Sequence, residues 1–230
     1  MLEARAIAEE LMDADDLDPA IYDAVLTDLA KVNTLTLARR PTLQFLERIA
    51  HANPGRSLKI LDVGFGDGDM LRAIHRWGRS RNVELTLVGI DLNPKSASVA
   101  QAATPADMAI DYRAGDYAAL AGEQFDVILS SIVAHHMTHG QLIAFLRFMQ
   151  AEARMGWLVN DLHRHGFAFY GYPLLAMIMR WHAIVKHDGQ LSIARSYRPA
   201  EWPPILAEAG ISSARIFRAF PFRLCVEAIR

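Results

Sequence analysis

Asp62, Gly64, Gly66 and Gly68 end an apolar run, Leu58-Lys59-Ile60-Leu61-Asp62-Val63-Gly64-Phe65-Gly66-Asp67-Gly68, and their order says what charge a ligand there should carry. Glycines at a strand end let a ligand approach the backbone with no Cβ in the way. Loops that hold dinucleotides use G-x-G-x-x-G and aim backbone N–H groups at a pyrophosphate. Here the spacing is G-x-G-x-G, and Asp62 and Asp67 put carboxylates where a pyrophosphate would bring its own negative charge. Like charges at that range repel, and a buried unpaired carboxylate is costly. A ligand with a sulfonium and an ammonium group, such as S-adenosylmethionine, suits the field. Phe65, inside the loop, is a candidate contact beside the glycines.

Three later strand ends follow, two of them again delivering an acid. Leu85-Thr86-Leu87-Val88-Gly89-Ile90-Asp91 is a second apolar, β-rich run ending in an acid, as expected of a parallel strand buried on both faces. A carboxylate there can accept from both hydroxyls of a ribose. Arg113-Ala114-Gly115-Asp116-Tyr117 is a third strand end, its Asp suited to an adenine amino group, and Phe125-Asp126-Val127-Ile128-Leu129-Ser130-Ser131 is a fourth strand. His135 and His136 follow it directly, at the edge where α/β sheets bind ligands. A phenol of pKa about 10 is a weak nucleophile until a base takes its proton, a task to which histidine is well matched. His163 and His165, with Asp161, form a second cluster after the fifth strand; His139 and His187 read as surface or capping residues. His135, His136 and His163 are thus the candidate catalytic residues.

From about Leu58 to its C-terminus the chain resembles class I S-adenosylmethionine-dependent methyltransferases. The family pattern D-x-G-x-G-x-G falls on Asp62, Gly64, Gly66 and Gly68. The resemblance implies that Asp91 binds the ribose with Leu92 beside the adenine, and that Asp116 reads the adenine amino group with Tyr117 next to it. Ser130 and Ser131 count with the cofactor-side residues, whereas Asp126 would serve structure at its strand start. The implied cofactor is S-adenosylmethionine, with S-adenosylhomocysteine as product. Family members that methylate exocyclic base nitrogens carry Asn or Asp, two prolines and an aromatic after the fourth strand, and metal-dependent catechol-type members place acids there. Ser130-Ser131-Ile132-Val133 matches neither, so no metal is expected. Asn160-Asp161-Leu162-His163-Arg164, with the double histidine, resembles bacterial quinone and phenolic-polyketide methyltransferases. That implies O-methylation of a small hydrophobic aromatic; C-methylation of an activated ring would look nearly the same. A nucleotide-dependent oxidoreductase and a non-catalytic cofactor-binding module are the readings from other classes.

The elements that must hold these residues follow from pattern. The fold expected is α/β: a Rossmann-like, seven-stranded, mostly parallel sheet with helices on both faces and an N-terminal helical cap. Residues 1–53 would form the cap, with Leu11, Ile21, Val25, Leu29 and Val32 at three- and four-residue steps between Ala4 and Ala50 and Asp18-Pro19 as a helix start. Residues 54–230 would form the catalytic domain, with an apolar insertion at about 163–192 whose Tyr170, Tyr172, Leu174, Met177, Met179 and Trp181 could line an acceptor pocket. Helices are expected at Met70 to Trp77, Gln141 to Ala153 and Pro199 to Ala209. The 230 residues can bury a core without staples, and the lone Cys225 makes a cytoplasmic setting the default. A net charge of −2 without a Lys/Arg-rich tract argues against nucleic acid as partner. No apolar run reaches membrane-spanning length; Phe167 to Val185 is interrupted by Arg180 and His182 and leaves room for a weak membrane-surface contact. A monomer or homodimer is expected.

Overall fold

The computed structural model describes residues 2–13 and 17–230. One seven-stranded sheet organises the chain, in spatial order β3-β2-β1-β4-β5-β7-β6. Its strands are β1 (Leu58–Val63), β2 (Leu85–Asp91), β3 (Ile110–Ala114), β4 (Phe125–Ser131), β5 (Ala153–Leu162), β6 (Arg215–Ala219) and β7 (Arg223–Ile229). β7 runs antiparallel to both β5 and β6, and the first five strands pair in parallel. The strand order turns back between β1 and β4, which opens a crevice at their carboxyl ends. This is the Rossmann-like, mostly parallel sheet that the strand patterns predict.

Successive side chains alternate faces, so each central strand feeds two cores. Leu61 and Val63 join Ile128, Trp157 and Val159 beneath α5 (His139–Glu152) and α8 (Trp202–Glu208). Leu58 and Ile60 join Val127, Leu129 and Leu158 beneath α2 (Arg40–Ala52), α3 (Asp69–Arg81) and α4 (Pro94–Ala103). Helix starts obey local chemistry. Asp18 accepts from the Ala20 and Ile21 N–H groups to start α1 (Pro19–Leu35), Asn93 accepts from Lys95 N–H ahead of α4, and Thr138 with Gln141 forms a capping box on α5.

Three expectations change. Helical structure was expected from about Ala4, yet the helix begins at Pro19; apart from a short 3-10 turn at Leu11–Asp13, the described residues before it form a strap without regular secondary structure, and residues 14–16 lie outside the described residues. The strap's polar groups find partners across the chain instead of along it: Ala6 N–H donates to Ala194 O, and Leu11 and Met12 N–H donate to the Asp188 carboxylate. The insertion is a helical hairpin, α6 (Gly166–Ile178) and α7 (Ala183–Arg195). α6 packs against its neighbours through Tyr172, Leu175 and Ala176 and turns Phe167, Tyr170, Leu174, Met177 and Ile178 to solvent, so its apolar residues do not line the cavity described below. The last helix is shorter than expected, a 3-10 turn at Pro199–Glu201 preceding α8, while Gly210 takes the left-handed conformation just past the helix end as its position predicts.

Leu61 sits at the centre of β1 with no exposed surface. Leu61→Ala should lower unfolding free energy by about 2–5 kcal/mol in urea titrations, while a substitution of exposed Leu174 should leave it nearly unchanged.

Candidate active site

The carboxyl ends of β1, β2 and β4 open into one cavity of about 410 Å³, closed from above by the N-terminal strap, α1 and α7. On one side the wall is acidic: Asp62, Asp67, Asp69 and Asp91, with Gly64, Phe65, Gly66, Leu92, Gly115, Tyr117 and Ser131. Gly64 has φ +76°, and a Cβ there would come within 2.4 Å of Val133, so the first turn of the loop admits only glycine without rearrangement. A Cβ on Gly89 of β2 would come within 2.7 Å of the Phe65 ring, so this glycine makes room for the loop to lie on the sheet. Asp91 ties loop to sheet by accepting from Gly66 N–H at 2.9 Å and from Asn93 N–H at 2.9 Å. Lone pairs remain on both of its oxygens.

Asp62 is 2% exposed, and among the described residues nothing hydrogen-bonds its carboxylate. Burial, then Asp69 and Asp91, push its carboxyl well above the usual range. Asp67 is raised too, by burial and by Asp69, although Arg72 lies 3.2 Å away. Asp69 is held by Arg39 at 2.8 Å. A cavity wall bearing a buried carboxylate without donors and with acidic neighbours is complementary to a cation. The sulfonium and ammonium of S-adenosylmethionine meet that requirement, and Asp62, the glycine loop and Asp91 are the residues that would hold it.

The opposite side carries a cluster of buried titratable side chains. β4 ends at Ser131; Ile132 then takes φ +60°, uncommon for a β-branched residue, and is held there by its N–H donating to Asn160 O at 3.0 Å. A 3-10 turn at Ala134–His136 follows. Fully buried His135 meets Asp161 of β5 twice, through its backbone N–H at 2.9 Å and through Nδ1 to Oδ1 at 2.7 Å. Burial opposes the charged ring, but Asp161 and then Glu10 outweigh it and raise His135 to about 9. Asp161 is correspondingly held low, its burial outweighed by the His135 charge and hydrogen bonds. His136 stacks at a tilt on His135, centroids 4.2 Å apart, and faces the cavity. Burial and the neighbouring His135 charge bring it down to about 4, so it is neutral at pH 7. Glu10 Oε1 lies 3.7 Å from Nε2 of each ring and from Arg195, and 2.6 Å from Ser192 Oγ.

Glu10, His135 and His136 offer ligand atoms within 4.8 Å of one another, a set that could hold a metal ion. Charged His135 and Arg195 already balance Glu10 and Asp161, which favours a proton network over a cation site.

The residues singled out from sequence divide. Asp62, Gly64, Phe65, Gly66, Asp91, Leu92, Tyr117, Ser131, His135 and His136 come together on the cavity wall. Four do not. Gly68 begins α3 at φ +77° with Tyr112 packed against it; Ser130, 2% exposed, alternates away from Ser131 into the core; Asp116 caps the short turn at Tyr117–Leu120 by accepting from Ala118 N–H. His163 lies beyond β5 and donates its N–H to Phe222 O; burial together with His165, Arg218, Arg198 and Arg164 lowers its pKa. Asp161 reaches His135 and not this second histidine pair. Sequence reasoning missed Glu10, Asp188 and Ser192, and the apolar wall of Tyr22, Leu26 and Leu29 on α1. The α1 spacing marked Leu29 as apolar-face, but nothing in the sequence marked Glu10.

Residues 60–156 match a methyltransferase domain model. The ubiquinone biosynthesis O-methyltransferase of Bartonella quintana (strain Toulouse) is 32% identical over 142 residues, 59% of this chain and 54% of that protein. The chain spans between half and two thirds of the length of the first curated relatives it matches. Among solved structures, a plantazolicin methyltransferase in complex with a desmethylPZN analog and S-adenosylhomocysteine superposes with a TM-score of 0.68 at 14% identity, covering 93% of this chain and 91% of that one. Magnesium protoporphyrin IX methyltransferase from Synechocystis PCC 6803, with bound S-adenosylmethionine, gives 0.56 at 15%, covering 96% and 88%. Residues 60–156 thus carry a methyltransferase domain, and by its sheet order and superposition the whole chain has the fold of class I S-adenosylmethionine-dependent methyltransferases. The cofactor of that class is S-adenosylmethionine.

Asp62 makes opposite demands on stability and binding. A carboxyl raised in the folded state destabilises it at pH values above the unfolded pKa, and the penalty vanishes as pH falls below that value. Asp62→Asn should therefore raise the melting temperature of the ligand-free protein at pH 7, with the gain disappearing as pH approaches about 3.8. It should also weaken S-adenosylhomocysteine binding at least about tenfold by calorimetry, and wild-type affinity should fall as pH is lowered and Asp62 protonates.

Proposed function

We propose that this chain transfers the methyl group of S-adenosylmethionine to a hydroxyl of a small hydrophobic aromatic acceptor, phenolic or quinone-like, without a metal ion and with His136 taking the acceptor proton. The observation that carries the reading is a neutral imidazole on the cavity wall, backed by a buried carboxylate–imidazolium pair and sharing the cavity with the apolar side chains of α1. The O-methyltransferase names of the curated relatives support the same acceptor atom.

When bound, the cofactor supplies an activated methyl group on a sulfonium. The chain's own contribution is alignment and proton handling. Asp62 and the glycine loop hold the donor side, and Tyr22, Leu26 and Leu29 give a hydrophobic acceptor a surface that excludes water. His136 is uncharged at neutral pH and can accept the proton of a phenol as its oxygen becomes nucleophilic. The resulting imidazolium would sit beside the Glu10 carboxylate, and Asp161 keeps His135 fixed beneath it.

His136→Asn should lower kcat for a phenolic acceptor by about 10²- to 10⁴-fold while cofactor affinity stays within about twofold. The acid limb of the wild-type profile should fall below that of an ordinary histidine. A chelator should leave the rate unchanged, and product NMR should show the methyl group on oxygen. Full activity in the variant would remove His136 as the base; a methyl group on carbon would remove the hydroxyl acceptor.

The same reading includes a weak membrane-surface contact through the exposed row Phe167, Tyr170, Leu174, Met177 and Ile178. Among the described residues no helix is long and apolar enough to cross a membrane. Co-sedimentation with anionic vesicles should be lost when Phe167 and Ile178 are both changed to Ser, and equal sedimentation of both proteins would discount this contact.

A further inference from the structure

The N-terminal strap ends inside the site. Arg5 fastens its first part: Nε donates to Arg195 O at 2.6 Å, Nη1 to Tyr197 Oη at 2.5 Å and Nη2 to His135 O at 2.9 Å, with the guanidinium 3.9 Å above the Tyr197 ring. Ala6 N–H donates to Ala194 O at 3.1 Å. The far end is fastened by Asp188, 3% exposed, whose two oxygens accept from Leu11 and Met12 N–H at 2.9 Å each. Glu10 lies between these anchors, 7% exposed and on the cavity wall. Next to it is a second, independent sign: His135 Nε2 is buried without a hydrogen-bond partner, 3.7 Å from Glu10 Oε1.

We propose that Glu10 is a positioning residue for the proton-abstracting histidine, and that the strap's two anchors exist to bring it there. This rests on the proposed role of His136. Facing Glu10 are His135 and His136 from the turn after β4, and Ser192 and Arg195 from α7. Asp161 faces His135 from β5, and Asp188 lies one helical turn before Ser192. With Asp161 on its Nδ1 side, His135 stands between two carboxylates, and the second one also borders His136. When a phenol O–H bond breaks, the proton moves to His136 and the electron pair stays on the acceptor oxygen. The Glu10 charge then stabilises the new imidazolium against the repulsion of His135. A carboxylate serving this purpose acts on turnover and leaves donor binding alone, because among the described residues none of the strap's hydrogen bonds or ion pairs reaches the loop residues that would hold the cofactor.

The test compares Glu10→Gln, Glu10→Asp and Arg5→Ala in the full chain. Glu10→Gln should lower kcat about 10- to 100-fold for a phenol of pKa about 10, with S-adenosylhomocysteine affinity within about twofold, and the loss should shrink for a nitrophenol that ionises unaided. Glu10→Asp, which keeps the charge, should recover part of the rate. Arg5→Ala should increase amide exchange at Leu11 and Met12 and reproduce part of the Glu10→Gln loss. Side-chain NMR of His135 and His136, which needs no acceptor, should show both titrating at lower pH in Glu10→Gln than in the wild type. Unmoved histidine titrations would overturn the inference whatever the acceptor turns out to be. If Asp and Gln variants are equally slow while the histidines titrate as in the wild type, Glu10 only packs, and the inference again fails. Shifted titrations with no phenol turned over by the wild type would leave the Glu10 placement standing and remove the acceptor assignment instead.

Discussion

The buried contact between Asp161 and His135 is the constraint on which the acceptor side depends. Two opposite charges without solvent are tolerated only when paired and hydrogen-bonded, and truncating one partner of such a pair is strongly destabilising, by about 3–5 kcal/mol. Asp161 meets this condition with three bonds, two from His135 and one from Leu162 N–H at 2.7 Å. Because one of them comes from the His135 backbone, the pair fixes the main chain after β4 as well as a ring. His136 and the carbonyl that anchors Arg5 belong to that fixed turn, which the Ile132 conformation, held by Asn160 O, leads into.

The cavity therefore has two electrostatic characters. Its donor end concentrates Asp62, Asp67, Asp69 and Asp91, only partly relieved by Arg39 and Arg72. The acceptor end alternates Asp161, His135, Glu10 and Arg195 so that charges cancel and one neutral imidazole faces inward. A cationic donor and an uncharged acceptor are the pair of ligands such a cavity distinguishes. The acidic end would attract a cation, whereas the balanced end would offer the proposed hydroxyl acceptor a base without an excess charge to repel it.

The fold and the donor end were legible in sequence because they are written in local patterns. Apolar runs ending in Asp62 and Asp91 mark strand ends, and the glycine spacing marks a turn, so each carries its meaning within about ten residues. Strand alternation was legible in principle too: adjacent Ser130 and Ser131 cannot both face the cavity, and only Ser131 does. The acceptor end was harder. Asp161 belongs with a histidine 26 residues earlier rather than with its near neighbour His163, and Glu10 with a helix 182 residues later. Neither pairing has a periodic signature, and the amphipathic pattern suggesting helix from Ala4 did not foresee a strap held by Asp188.

The match to a methyltransferase domain ends at residue 156, and this boundary separates two kinds of constraint. His135 and His136 lie inside it on the sheet edge, so the proposed base is tied to the same sheet that carries the glycine loop. Glu10, Tyr22, Leu26, Leu29, Asp188 and Ser192 lie outside it, on the strap, α1 and α7. Those elements would set the shape and polarity of the proposed acceptor space, and the strap meets the His135 turn through Arg5 and Glu10. Acceptor shape can thus diverge through substitutions on the covering elements while donor binding is preserved, provided each change keeps a negative charge opposite His135 and leaves the Asp161 contact intact.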